Sequence, residues 1–535
     1  MASLTTSDPQ PRAGTREWIG LAVLTLPLLV LALDLSVLYL AIPDLSADLR
    51  PSGTQQLWIM DIYGFLIAGF LTTMGTLGDR IGRRRLLMIG AASFALASLL
   101  AAYAASPEML IAARALLGIT GATLMPSTLA LIRNMFLEPS QRSVAIAIWV
   151  TTFSFGVAVG PLVGGVLLAS FWWGSVFVLA VPIMVLLLLA APFTLPEYRD
   201  PDPGRMDWRS VALSLAAILP LIYGLKELAG NGLAWTPALL SLAGLVSGVV
   251  FVQRQRGLAA PLVDVRLFKD RSFTAALTLL LFGIMAVNGI FFLFPQFLQM
   301  VEGLSAMQAG LWIIPLALAS LIGSMLAPFA ARAVRPAVVI AGGAAVSVLG
   351  FLLITQVSAT AGIGLLVGAG VIAVFGLSPM GVLATDLVVG SVPPRKAGSA
   401  AAMSETSGEL GTALGVAVMG TVATAVYRDE MAGALPADVP PSVADAGRDT
   451  LSSALAAADQ LPPAMADDLI ETAQQAFTSG LNVVGALGAV LMTGLVILSL
   501  VLLRDRPRIG TPAKDDEVTD DDSRAETTVS GTGGL

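Results

Sequence analysis

The residues of this chain best placed to do chemistry are carboxylates embedded in apolar segments. Four are read there: Asp34, Asp61, Glu405 and Glu409. A charged side chain at the centre of a bilayer helix costs about 2.5–3.5 kcal/mol on insertion scales, so each is a functional candidate by default. Asp34, in L33DLSVLYLAIP43, has no basic residue nearby in sequence, and desolvation there favours the protonated acid. A proton carrier needs that condition, and the same group, once ionised, attracts a cation. Asp61 lies about one turn from the end of its segment, where a solvated or capping role stays open. Glu405 and Glu409, in A397GSAAAMSETSGELGTALG415, are spaced i, i+4 and share one helix face. Two like charges so close cannot both ionise cheaply in a low dielectric, so one is expected to keep a proton; pairing of each with a distant arginine is the alternative. The chain has no histidine and no cysteine. Imidazole relays, His-ligated metal sites, thiolate chemistry and disulfides are thereby excluded, and any proton handled here rides mainly on carboxylates.

Around these acids stand residues whose spacing suits movement. In G75TLGDRIGRRR85, Gly75, Gly78 and Gly82 allow two helix ends and a tight turn to approach closely. Asp79 sits where a neighbouring helix N-terminus or an arginine can pair with it. Arg80, Arg83, Arg84 and Arg85 would anchor the turn, and a plain positively charged turn is the simpler reading. Arg114 lies a turn or more inside an apolar helix, where a guanidinium has to face a carboxylate or backbone carbonyls, unless it reaches to the outer interface. Gly156, Gly160, Pro161, Gly164 and Gly165, in G156VAVGPLVGG165, permit close helix contact and a bend; packing alone and a rocking helix explain them equally. Trp58, Tyr63, Trp149, Phe153 and Phe292, with Phe282, Phe291, Phe294 and Trp312, could stack on a flat cation at about 0.5–2 kcal/mol each. For any one of them, core or lipid-facing packing is the simpler reading.

The elements that have to position these groups are membrane helices. Of 535 residues 56% are hydrophobic and 13% charged, against roughly 25% charged in soluble domains. Fourteen segments meet the roughly 20 apolar residues that a bilayer core demands, from residues 18–42 to residues 478–503. The spacing predicts an all-α, polytopic membrane protein: an N-terminal tail (1–17), a six-helix bundle (18–195), a linker (196–209), two extra helices (210–253), a second linker (254–271), a second six-helix bundle (272–503) and a disordered tail (504–535). The outer segment 428–477 is expected to form a loosely packed helical hairpin. With both termini cytoplasmic, 25 of the 30 basic residues fall on that side; Arg50, Lys226, Arg428 and Arg448 fall outside, and Arg114 is within a span. The N-terminal stretch leads into a run too long for a signal-peptide core, so the first span is expected to stay in the mature protein. The net charge of −7 arises largely from the last inter-helix loop and the tail, and no nucleic-acid partner is expected.

Together the motifs resemble the major facilitator superfamily, and the fourteen spans resemble its drug:proton antiporter branch. GTLGDRIGRRR is similar to the loop 2–3 signature, LIAARALLGITGA to the span 4 arginine signature, and GVAVGPLVGG to the antiporter signature. LDLSVLYLAIP, PSGTQQLWIMDIY and DVRLFKDRSF look like QacA-type quaternary-ammonium exporters. The resemblance implies two bundles about a central cavity and a proton-coupled multidrug efflux antiporter. It implies coupling or cation binding at Asp34, Asp61, Glu405 and Glu409, with Arg114 as the buried arginine. Leu117 departs from a frequent glutamine, and span 10 lacks the acid that divalent-cation exporters carry there, so monovalent lipophilic cations are the expected cargo. A neutral antibiotic, lipid or metabolite is the alternative. Protons are the expected coupling ion, with no cofactor and no metal. The expected partners are small lipophilic cations and the bilayer of the cell membrane, with the chain working as a monomer. No GxxxxGK[ST], HExxH or GxSxG stretch points to an enzyme or a nucleotide-driven pump.

Overall fold

The computed structural model describes residues 12–51, 53–199, 207–231, 235–258, 261–359, 362–393, 396–434 and 440–504; the expected disordered tail beyond these lies outside the described residues. Among them all regular structure is helical, and fourteen helical stretches are long and apolar enough to cross a membrane. A first bundle contains α1 (Thr15–Leu49), α2 (Gly53–Ile81), α3 (Arg83–Ala102), α4 (Pro107–Met135), α5 (Pro139–Ser170), and a sixth span made of α6 (Ser175–Val178) and α7 (Ala180–Thr194). The inserted pair is α8 (Trp208–Asn231) and α9 (Trp235–Gly257). A second bundle contains α10 (Arg271–Gln296), α11 (Ala306–Ala333), α12 (Pro336–Ile354), α13 (Ile363–Gly390), α14 (Ala397–Leu414), which continues through a π-turn into α15 (Gly420–Ala434), and α18 (Pro463–Leu502). Two short helices, α16 (Pro441–Asp449) and α17 (Leu451–Ala458), precede α18.

Local chemistry sets the helix ends. Ser106 accepts from the Met109 amide and Pro107 opens α4; Glu138 accepts from Ser140 and Gln141 with Pro139 opening α5. Asp270 caps α10, and Ser305 with Gln308 forms a capping box at α11. Glu138 lies outside the spans: burial pushes its carboxyl up, but those amide hydrogen bonds outweigh it and hold the group below the ordinary glutamate value.

Bonds between distant helix ends gather Ala13, Arg504 and many of the described arginines at one end of the molecule, hereafter the basic end. The Ala13 amide donates to Gln141, Arg84 donates to the Leu195 carbonyl, and Arg335 donates to the carbonyl of Arg504. α1 packs on α5 and α2 on α4; in the second bundle α12 packs on α13 and α18, and α10 on α14. The bundles meet where α14 touches α2 and α4, and where α5 touches α11 and α13. α8 and α9 pack chiefly on each other, while α8 also reaches α2, α14 and α15.

At the opposite end the structure departs from the expected loose hairpin. α18 begins at Pro463, not near residue 478, and its polar first turns pack with α15, α16 and α17 around an apolar core of their own: Tyr427, Met431, Leu451, Leu469 and Ala473. The Tyr427 hydroxyl donates to the Gly447 carbonyl at 2.7 Å. Ala-rich helices with an apolar stripe bury it against one another where no bilayer is available to do so.

Candidate functional site

The expected buried arginine and the expected isolated acid are partners. Arg114 of α4, 1% exposed, donates through Nη1 to Asp34 Oδ2 of α1 at 2.5 Å and through Nε to the Ile59 carbonyl of α2 at 3.1 Å. Its guanidinium lies 4.4 Å from the centroid of Tyr63, also on α2. Reach to an outer interface is thereby excluded, and so is the picture of Asp34 as a carboxylate without a counter-charge. One glycine brings these helices together: a Cβ at Gly118 would stand 2.6 Å from the Tyr63 carbonyl oxygen. The glycine stretch of α5 closes the other flank. A Cβ at Gly156 would stand 2.6 Å from Ala32 Cβ, and one at Gly160 would overlap the Ser36 hydroxyl. Ala32 and Ser36 bracket Asp34, so α5 presses directly on the helix that carries the acid. Gly164 is buried, Gly165 has open space beside it, and the ring of Pro161 lies outside the described residues.

Tyr63 is the ring against which the guanidinium of Arg114 rests. It is fully buried, its hydroxyl has no hydrogen-bond partner among the described residues, and Asp34, Arg114 and Glu409 are all within electrostatic reach of it. Glu409 in turn acts on Glu405 one turn earlier. Both glutamates belong to α14 of the second bundle, whereas Asp34 and Arg114 belong to the first. Asp61 is half-buried on α2, within two residues of Tyr63.

The α2–α14 seam runs from this cluster to the basic end. Thr72 and Thr406 hydroxyls meet at 3.3 Å. A Cβ at Gly75 would stand 2.6 Å from both Ala402 Cβ and the Gly398 carbonyl oxygen. Asp79 does both things its position allowed: it pairs with Arg83 and accepts from the Ser399 amide, in the first turn of α14, at 3.3 Å. Arg83, fully buried, also donates to the Gly75 carbonyl at 2.8 Å. Gly78 makes room for that side chain, and Gly82, with φ of 110°, turns the chain where an L side chain would be strained. Arg84 holds the end of α7 through the Pro192 and Leu195 carbonyls, while Arg80 is half-buried at the end of α2.

A second lock at the same end was not legible as a motif. Arg142 of α5 pairs with Asp386 of α13 at 2.6 Å, with both side chains largely buried, and Arg133 of α4 donates to the Val389 carbonyl at 3.3 Å. Asp386 is a further buried carboxylate within a spanning helix, and its signal was a lone acid in A384TDLVVG390. With these locks in place, the basic end of the inter-bundle face is shut.

The five rings expected to line a cargo cavity do not converge. Tyr63 lies under Arg114. Trp149 is buried in the first bundle with its indole N–H on Thr128 at 3.0 Å, and Phe153 packs on the same core. Trp58 stacks on Tyr223 of the inserted α8 at 5.9 Å, and Phe292 is 39% exposed beside Gly420. Phe291 and Phe294 instead line an apolar hollow inside the second bundle with Ile290, Leu316 and Phe351.

A family model described as the Major Facilitator Superfamily matches residues 24–416. The chain is 43% identical to the "Multidrug efflux pump LfrA" of Mycolicibacterium smegmatis, over 90% of this chain and 95% of that one. It is 33% identical to the "Methyl viologen resistance protein SmvA" of Salmonella typhimurium, over 86% and 93%. The crystal structure of the human organic anion transporter MFSD10 (TETRAN) superposes with a TM-score of 0.57 over 89% of this chain and 99% of that one, at 16% identity.

Proposed function

Because this chain belongs to the Major Facilitator Superfamily, we propose that its two bundles open alternately to either side of the cell membrane and export lipophilic, mainly monovalent cations, such as quaternary ammonium compounds and dyes, in exchange for protons. The likeness to a multidrug efflux pump and to a methyl viologen resistance protein supports drug efflux as the direction and kind of transport. One observation carries the proton and cation half of this reading: the buried Asp34–Arg114 pair, with Tyr63 against the guanidinium and Glu409 of the other bundle within electrostatic reach of that tyrosine.

While Asp34 is ionised it neutralises Arg114, and a cation near Glu405 and Glu409 meets a site whose net charge is negative. A proton arriving on Asp34 cancels that pairing and leaves the guanidinium, among the described residues, with the Ile59 carbonyl and the Tyr63 ring. An uncompensated buried charge of this kind is costly, and it repels cationic cargo through the low dielectric. Proton and cargo therefore exclude one another although they need not occupy the same oxygen. The Lys/Arg bias assigns the basic end to the cytoplasm, so the shut locks correspond to a transporter closed towards the cytoplasm. All the groups invoked lie on one chain, and a monomer suffices.

The test is reconstitution in liposomes with an imposed pH gradient and ethidium as cargo. The gradient is expected to drive ethidium movement in the parent protein, and Asp34→Asn is expected to reduce it to the leak rate while substrate-independent folding signals persist; equal rates would reject the role of Asp34. Running methyl viologen, a dication, beside ethidium checks the charge preference, because α11 carries no acid. Transport of neutral drugs with no cationic dye movement would favour the alternative cargo, with the carboxylates serving protons alone.

A further inference from the structure

Between the inserted helices and α10 the chain does something a connecting loop has no need to do: it buries itself under the seam. Leu262 is 3% exposed and Val263 8%, whereas connections normally run over the surface with their backbone groups solvated. The amide of Leu262 donates to Gln255 Oε1 at 2.7 Å, and the Gln255 side chain, itself buried, donates to the Ser210 hydroxyl at 2.7 Å, so α8 and α9 jointly hold the stretch. Asp207 fastens the same corner, accepting from Ser210 and pairing with Arg254 at 2.7 Å. On the far side the chain is pinned by two caps: Asp264 accepts from the Arg266 amide to start a 3-10 turn, and Asp270 starts α10.

Two bonds reach from this anchored stretch to opposite sides of the inter-bundle face. The Thr76 hydroxyl of α2 donates to the Leu262 carbonyl at 3.0 Å in a buried site, one turn before Asp79. Asp264 pairs with Lys396, the residue preceding α14, at 2.6 Å. Burial pushes the Asp264 carboxyl up, but Lys396 and the Arg266 amide outweigh it and hold the acid below its ordinary value, so it stays ionised at neutral pH.

We infer that Thr76, Leu262, Asp264 and Lys396 are positioning residues for the exchange, forming a strap by which the inserted helix pair ties α2 to α14 at the basic end. The inference rests on the alternating-opening reading above. Two residues of chain span at most about 7 Å even when fully extended, so α2 cannot draw away from Lys396 by more than that without losing the Thr76–Leu262 bond or the Asp264–Lys396 pair. The inserted helices are then part of the gate and not a passenger: α8 lies against α2 and α14 within the membrane layer, and its partner's tail crosses the same seam at its end.

The chain has no cysteine, so spin labels can be placed without background at Arg85, exposed at the start of α3, and at Arg335, exposed before α12. Distances between them in reconstituted full-length protein read the separation of the two bundles at the basic end, without any choice of cargo. Thr76→Val and Asp264→Asn are each expected to raise the population of the longer distance about tenfold, and the double variant further; Thr76→Ser and Lys396→Arg, which keep the bonds, are expected to match the parent. Distributions in Thr76→Val and Asp264→Asn indistinguishable from the parent would overturn the strap. A parent that moves no ethidium, with the shift still present in Thr76→Val and Asp264→Asn, would sink the efflux reading alone.

Discussion

At the residue scale, Arg114 is the group whose geometry is least replaceable. One guanidinium satisfies a carboxylate, a carbonyl and a ring face at once, a planar, stacked arrangement that an ammonium does not reproduce. Arg114→Lys is therefore expected to fold and to lose most gradient-driven ethidium movement, and Arg114→Ala, which strands Asp34 in the interior, to destabilise the protein by about 3–5 kcal/mol. Thermal unfolding in detergent separates the two effects. Half of this site was legible in the sequence: a guanidinium inside an apolar helix required a partner, and Asp34 stood out as a buried acid. That each answers the other was not, because the two residues stand 80 positions apart and the sequence between them carries no trace of the contact. Asp386 escaped for a different reason, since it sits near the end of its span, where an acid reads as interfacial.

At the element scale, the seam depends on the spacing of small and polar residues along α14. Ser399, Ala402, Thr406 and Glu409 recur at intervals of three and four and present one face to α2. That pattern was visible in A397GSAAAMSETSGELGTALG415, but periodicity does not say which helix it faces. Gly75→Ala is expected to hold α2 off α14, because its Cβ would meet backbone atoms that cannot rotate aside. The measurable outcome is faster thiol labelling of a cysteine placed at the buried Ser143 position near the basic end of α5; unchanged labelling would mean that the seam tolerates a methyl group. Spans were legible because apolar runs of bilayer length admit few alternatives. The early start of α18 was not: a helical hairpin was expected over ADDLIETAQQ, but nothing in its hydropathy says that the helix runs unbroken into the last span or that Leu469 and Ala473 pack with Tyr427 and Met431 in a core of their own.

At the scale of the whole molecule, the shut end is held by contacts far apart in sequence: Asp79 to Ser399, Arg142 to Asp386, and the strap from the inserted pair. Removing one charge of a buried pair leaves the other uncompensated, so Asp386→Asn is expected to shift the resting population towards opening at the basic end. Spin-label distances between Arg85 and Arg335 positions give the check, with an unshifted distribution counting against Asp386 as a lock. The structure also carries a built-in pointer. At 1.5 Å per residue the 40 residues of α18 extend about 60 Å, roughly twice the hydrocarbon thickness, and the half beyond the bilayer is stiffened by α15, α16 and α17. A tilt of some 10° about the membrane midplane would sweep the tip through several ångströms more than any residue nearer the pivot. A dye pair with one member on α16 would thus magnify motions too slight to see at the carboxylates themselves, making the overhanging knob the natural place from which to watch single molecules turn over.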